Sequence, residues 1–261
     1  KQVINAQEAR RVYDAPSKGV LWGWEVTGYV WTKAIATGTF LMMAVWFWLN
    51  GRINATSEMN GLLTSLVFMG ITGALLVKDL DRPDRFLYVL LRPQWKSWLV
   101  RGAYIITGFS GLVTLKLIDN YLGLGLIWLW GLGAVLAVLG AVYTAFLFNQ
   151  ARARDLWQTL VISAIHMLVH AIMAGSVVMM LIAPETSVWM VDILIWSIVI
   201  NLFIMVKEII LHQNTTDTRK AIYLMTKGYY SKYFWAGIVF GNVVPFMMLT
   251  ASTDSMTLIA G

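Results

Sequence analysis

Charge gathers where the lipid-grade sequence pauses. Between two long apolar stretches stands the run Lys78-Asp79-Leu80-Asp81-Arg82-Pro83-Asp84-Arg85-Phe86. Charge near a bilayer is costly, so a cluster there marks a functional site or a topology signal. Asp79, Asp81 and Asp84 can give and take protons, and Arg82 and Arg85 can hold an acidic partner or stay solvated. Pro83 ends any helix entering the run. Asp79, which adjoins the preceding apolar span, is the carboxylate best placed for chemistry.

Three further constellations carry polar chemistry. Glu25, Tyr29 and Lys33 recur at four-residue intervals, so they share one helical face. Lys33 lies roughly 12 Å deeper than Glu25 at the helical rise. This is a proton-handling or ligand-binding face, or else Lys33 snorkels or pairs with a carboxylate. Tyr143 sits about one and a half turns inside the end of a later span, where interfacial tyrosines are common. His166 and His170 form an i, i+4 pair, and His212 stands at the end of the next span. His166 is expected roughly 15 Å into its helix, too far from the depth of His212 for the two to hold a haem between facing helices. The pair reads as hydrogen-bonded core histidines or as a proton relay, which Asn201, Lys207 and Glu208 would extend.

The elements that must position these residues are membrane helices. Of the 261 residues 58% are hydrophobic and only 13% charged, about half the charge of a soluble domain. Apolar runs of about 20 residues, enough to cross a bilayer, recur along the whole chain. They predict seven spans: 26–49, 61–77, 97–117, 122–148, 156–182, 188–211 and 233–251. Backbone groups have no water partner in lipid, so each span is expected to be helical. Gly70, Gly73, Gly102, Gly108, Gly111, Gly140 and Gly175 suit close helix packing, and Pro245 is expected to kink the seventh span. Residues 256–261 turn apolar again and read as the opening of an eighth helix. The chain has no cysteine, which excludes disulfides, thiolate zinc and an iron–sulfur cluster held by this chain alone.

Seventeen of the 20 lysines and arginines fall in the N-terminal segment, the two–three loop, the four–five loop and the six–seven loop or their edges. Arg52 and Lys116 stand on the other side, and Lys33 lies within span one. The positive-inside rule puts the N-terminus in the cytoplasm, and the net charge of +6 is a topology signal rather than a nucleic-acid one. Helix alternation brings the start of span one, the end of two, the start of three and the end of four to that same side. Glu25, Tyr29, Asp79, Trp98, Arg101 and Tyr143 are therefore expected to converge on one cavity.

Residues 78–86, the run Leu91-Arg92-Pro93-Gln94-Trp95-Lys96-Ser97-Trp98, the Gly102-Ala103-Tyr104 stretch and the segment from Tyr143 to Trp157 resemble the NrfD-type membrane subunits. That family includes the polysulfide reductase membrane subunit and relatives in alternative complex III. The resemblance implies a haem-free, all-α, polytopic helical bundle of eight helices in two four-helix bundles. On that pattern residues 1–25 are a cytoplasmic segment, 26–149 a first bundle with a quinone site, and 150–261 a second bundle short of one helix. It further implies a bacterial or archaeal cytoplasmic membrane, an iron–sulfur partner subunit and a molybdopterin catalytic subunit. Carried over by position, the tyrosine near the end of the fourth helix is Tyr143, the polar residue at the mouth of the first is Glu25, and the aspartate after the second is Asp79. Many relatives face their catalytic partners to the periplasm, whereas the basic loops here predict a complex facing the cytoplasm.

The sequence expectation is therefore a quinone-reactive subunit, binding menaquinone or ubiquinone and no metal of its own. Glu25, Asp79 and Lys33 would move protons. Tyr143 or Lys33 would bond a quinone carbonyl, with Arg101 beside the ring and Trp22, Trp24, Tyr29 and Trp98 framing it. One rival is a passive anchor, whose charged loops only dock a partner. The other is a transporter with Lys33, His166, His170 and Glu208 as its polar path. Transporters often show internal repeats, and the two halves of this chain share no convincing similarity.

Overall fold

The structure, a computed structural model, describes residues 23–80, 86–150, 159–211 and 216–251. Residues 1–22, Asp81 to Arg85, Arg152, Arg154, Trp157, His212 and the apolar tail at 256–261 lie outside the described residues. Among the described residues there are helices and no strand. In chain order they are α1 (Trp24–Asn50), α2 (Ala55–Asp79), a short α3 (Phe86–Leu91), α4 (Trp98–Leu122), α5 (Trp128–Gln150) and α6 (Leu160–Ile182). They continue with α7 (Ser187–Leu211), α8 (Thr216–Thr226) and α9 (Ser231–Ala251). Seven of these, all but α3 and α8, are long and apolar enough to cross a membrane.

The expected spans are all present with several boundaries corrected: the second, expected from Gly61, starts at Ala55, and the third, expected to end at Leu117, runs to Leu122. The fourth was expected from Leu122, but α4 runs to that residue and α5 starts at Trp128. Gly123 and Gly125 adopt φ of +66° and +70°, a left-handed backbone that glycine tolerates and that ends a helix. The fifth helix starts at Leu160, so His166 lies roughly 9 Å into it rather than 15 Å. The π turn at Val239–Val243 sits just before Pro245. A wider turn there eases the ring's clash with the preceding carbonyl.

In lipid, helices associate through van der Waals packing and interhelical polar contacts rather than through water exclusion. The hub is α1, which packs against α2, α5 and α6. Helices α1, α2, α4 and α5 close into a ring, while α6 leans on α1 and α5 and carries α7 outside it. Where α1 crosses α6, a side chain on Gly38 would strike the Ala171 carbonyl, and one on Gly175 would strike the Gly38 carbonyl. The two backbones therefore touch. Gly133 makes room for Phe40 in the same way, and Gly102 for the Tyr143 ring. Gly70, Gly73 and Gly111 meet nothing within 4 Å and Gly108 only Leu136, so the packing role expected for these four is not seen. Gly70, Gly108 and Gly111 face outward, and Gly73 faces a cavity.

The core of the ring is aromatic and aliphatic. Phe40 meets Phe109 edge-on at 5.6 Å, and Phe47 stacks on Trp130 at 5.4 Å, both in the favourable range for ring pairs. Between α1 and α2 the hydroxyls of Thr32 and Thr72 lie 2.8 Å apart.

Candidate functional site

Four helix ends meet at one end of the ring: the start of α1, the end of α2, the start of α4 and the end of α5. Between them lies a cavity of about 300 Å³, lined by Tyr29, Leu76, Asp79, Leu80, Leu99, Leu147 and Gln150. Tyr29 is buried and Asp79 closes α2. A smaller cavity of about 60 Å³ shares Leu76, Leu80 and Leu99 with the first and adds Phe86, Val89, Ala103 and Tyr143. The Tyr143 ring rests where Gly102 leaves room for it. Its hydroxyl is buried with no hydrogen-bond partner among the described residues. An unmatched buried donor calls for a partner. The short helix α3 contributes Phe86 and Val89 to this wall and is tied to α4 by the Tyr104 hydroxyl, which donates to the Leu90 carbonyl at 2.6 Å.

Tyr29, Asp79 and Tyr143 are thus brought to two adjoining cavities, and the other expected residues are held nearby by different partners. Lys33 neither snorkels nor meets a carboxylate among the described residues. Its ammonium donates to the Ala141 carbonyl at 3.1 Å and to the Thr144 hydroxyl, and it lies 4.4 Å from the centroid of the Tyr143 ring. It supports Tyr143 from within the bundle and lines neither cavity. Glu25 pairs with Lys78 at 3.5 Å, and Lys78 in turn covers Trp24 at 4.2 Å. Trp24 is exposed and frames nothing here. Trp98 stacks on Phe146 at 4.3 Å and its backbone N–H donates to Gln150 Oε1 at 3.0 Å. Arg101 covers Trp98 at 4.7 Å, while its Nε donates to the Trp95 carbonyl at 2.6 Å. Trp98 and Arg101 therefore brace the rim through Gln150 rather than form the wall.

The histidine pair belongs to a second polar cluster, between α6, α7 and α9. The rings of His166 and His170 are 4.5 Å apart. His166 Nε2 lies 2.9 Å from Asn201 Oδ1, and its Nδ1 lies 3.5 Å from Glu208. Asn201 donates to Asn242 Oδ1 at 2.7 Å. The network joins three helices and does not reach Tyr29 or Asp79.

Two features escaped the sequence reading. Gln150 lines the cavity, and nothing about a lone glutamine at a helix end signals that. The other is a buried ion triad at the opposite end of the ring. Lys116 lies 2.6 Å from Asp119 and 2.9 Å from Glu58, and Asp119 Oδ1 accepts the Leu126 N–H at 2.9 Å. From the sequence Lys116 counts only as a topology charge. The signal was present, because Lys116 and Asp119 are i, i+3 within an apolar helix.

Fold and site together define a multi-pass membrane protein whose helix ends enclose a polar-edged apolar cavity. The chain matches the family model described as polysulphide reductase, NrfD, over residues 14–259, nearly its whole length, and it belongs to that family. No curated protein matches it. Membership is consistent with a membrane-anchor role in oxidoreductase complexes.

Proposed function

We propose that this chain is the quinone- or quinol-reactive subunit of a respiratory oxidoreductase complex, working with an iron–sulfur partner subunit. The observation that carries this reading is the pair of adjoining cavities. Tyr29 and Asp79 stand in one, and Tyr143, with its unmatched buried hydroxyl, in the other. Quinone fits this set by chemistry. Its ring suits walls of leucine, phenylalanine and tyrosine, and its carbonyls accept hydrogen bonds from few, placed polar groups. Tyr143 would donate to one carbonyl, with Lys33 holding the tyrosine ring from below. Asp79 would exchange protons with the ligand at the cavity mouth, and Glu25 and Lys78 would pass them to water. Bound quinone supplies the two-electron, two-proton couple. Membrane lipid and the quinone pool are the other implied contacts, and a molybdopterin subunit would be the terminal catalyst.

The test is quinone turnover by the purified complex, comparing wild type with Asp79→Asn and Tyr143→Phe after assembly has been checked. Both variants should lose at least about tenfold in turnover, the cost of one lost charge-assisted hydrogen bond. The partner's activity toward an artificial dye should stay intact. Unchanged turnover in both would leave the passive anchor as the better description.

A further inference from the structure

A basic surface lies apart from both polar sites, on α8 and the first turn of α9. Lys220, Tyr223 and Lys227 are spaced i, i+3, i+7, so they form one stripe along α8. All three are exposed. The other side of the helix is apolar. Ile222 is buried, and with Met225 it turns toward a small cavity shared with Met205 and Ile209 of α7 and Phe234 of α9. A helix with one apolar and one basic face suits a position flat in the membrane surface. The chain then turns sharply at Gly228. The Lys227 and Gly228 N–H groups both donate to the Tyr223 carbonyl, at 2.9 and 2.8 Å, and the Tyr230 N–H donates to the Leu224 carbonyl at 3.1 Å. A side chain on Gly228 would strike the Leu224 backbone. Trp235 Nε1 donates to the Thr226 carbonyl at 3.0 Å, which ties α9 to the end of α8. Exposed Tyr229, Tyr230, Lys232 and Tyr233 follow directly on this turn, with the Lys232 ammonium 4.9 Å from the Tyr233 ring centroid.

Charge and tethering name the ligand. From Thr216 to Tyr233 the basic residues are Arg219, Lys220, Lys227 and Lys232, and the one acidic residue is Asp217. Such a surface takes an anion. α8 is strung between two membrane-length helices, α7, which ends at Leu211, and α9, which starts at Ser231. Its surroundings are therefore lipid headgroups. Tyrosines interleaved with the cations suit that level, where a phenol donates to headgroup oxygens while its ring rests against acyl chains. The packing neighbour of α8 is α9 rather than the ring that holds the Asp79 cavity, so the patch is no extension of that cavity's rim. We propose that the patch binds the phosphodiester headgroup of an anionic phospholipid. Lys220, Lys227 and Lys232 supply the positive charge, and the tyrosine hydroxyls are further donors. Nothing in this depends on the ligand of the first cavity.

The full chain, purified in a neutral detergent, is incubated with phosphatidylglycerol, phosphatidylcholine or inorganic phosphate, and retained adducts are counted by native mass spectrometry. Wild type should hold phosphatidylglycerol at least about tenfold better than phosphatidylcholine. A lysine near an anionic membrane contributes about fivefold in binding. The triple variant Lys220→Gln, Lys227→Gln, Lys232→Gln should therefore weaken phosphatidylglycerol retention roughly a hundredfold. The same three positions changed to arginine should keep it, as should Arg92→Gln with Lys96→Gln, which removes two exposed cations elsewhere. Equal retention of the two lipids would overturn the proposal, and so would a glutamine variant that holds phosphatidylglycerol as wild type does. An equal loss from the Arg92 and Lys96 pair would reduce the effect to overall charge and also overturn it. Displacement of the lipid by inorganic phosphate would assign a free anion instead. If the glutamine variant kept its lipid but shed partner subunits from the purified complex, the patch would belong to a protein interface and the proposal would fall.

Discussion

Lys116 and Lys33 are both buried in apolar helices, yet they are satisfied by different chemistry. Lys116 sits between Glu58 and Asp119 and under the influence of the Trp130 ring at 4.8 Å. Lys33 has a carbonyl, a hydroxyl and a ring face. Removing one member of a buried ionic group strands the others. Lys116→Met should therefore cost about 3–5 kcal/mol, read as an earlier thermal transition of the solubilised protein. An unchanged transition would mean that Glu58 and Asp119 are hydrated and the triad contributes little. At this scale the sequence told which faces residues occupy but not whom they meet. Tyr29, Asp79 and Tyr143 were legible as neighbours because their helix ends must come together. Lys33 was not, because its partners on α5 carry no charge and leave no signal in composition. Glu25 and Arg101 were drawn off by Lys78 and the Trp95 carbonyl, contacts that depend on rotamers rather than periodicity.

The contact of α1 with α6 is the tightest constraint between elements. With the two backbones touching at Gly38 and Gly175, any added volume must push whole helices apart. Gly38→Leu should destabilise by about 1–3 kcal/mol or more, seen as a lower midpoint in a detergent thermostability assay. Gly70→Ala is the control. A Cβ there meets nothing within 4 Å, so the shift should stay within about 0.5 kcal/mol. Equal effects from the two would mean that this crossing is plastic. The seven spans were readable because a run of about 20 apolar residues has few other fates. The short helices α3 and α8 were not, since they lie in segments between the apolar runs and lack the length that makes a membrane helix conspicuous. Glycine was only partly informative. Gly102, Gly140 and Gly175 do sit against neighbouring helices, but a glycine facing outward looks the same in sequence.

For the whole molecule, the alternation of the seven membrane-length helices among the described residues makes their orientation a single yes-or-no property. The absence of cysteine makes it easy to read. In one variant Gly125→Cys marks the α4–α5 turn, and in another Lys227→Cys marks the segment after α8. A membrane-impermeant thiol reagent applied to intact cells should reach residue 125 and spare residue 227. The reverse pattern would place the Asp79 cavity on the outer side and overturn the charge-based orientation. The hub position of α1 has one more consequence, which concerns how the protein is made. The groups that receive the Lys33 ammonium lie 108 and 111 residues further along the chain. At ribosomal speeds they emerge roughly 5–20 s after Lys33 does. Through that interval α1 holds an ammonium for which its eventual acceptors do not yet exist. The segment that ends as the most enclosed helix of the fold is therefore, during biogenesis, the one with most reason to linger at the insertion machinery.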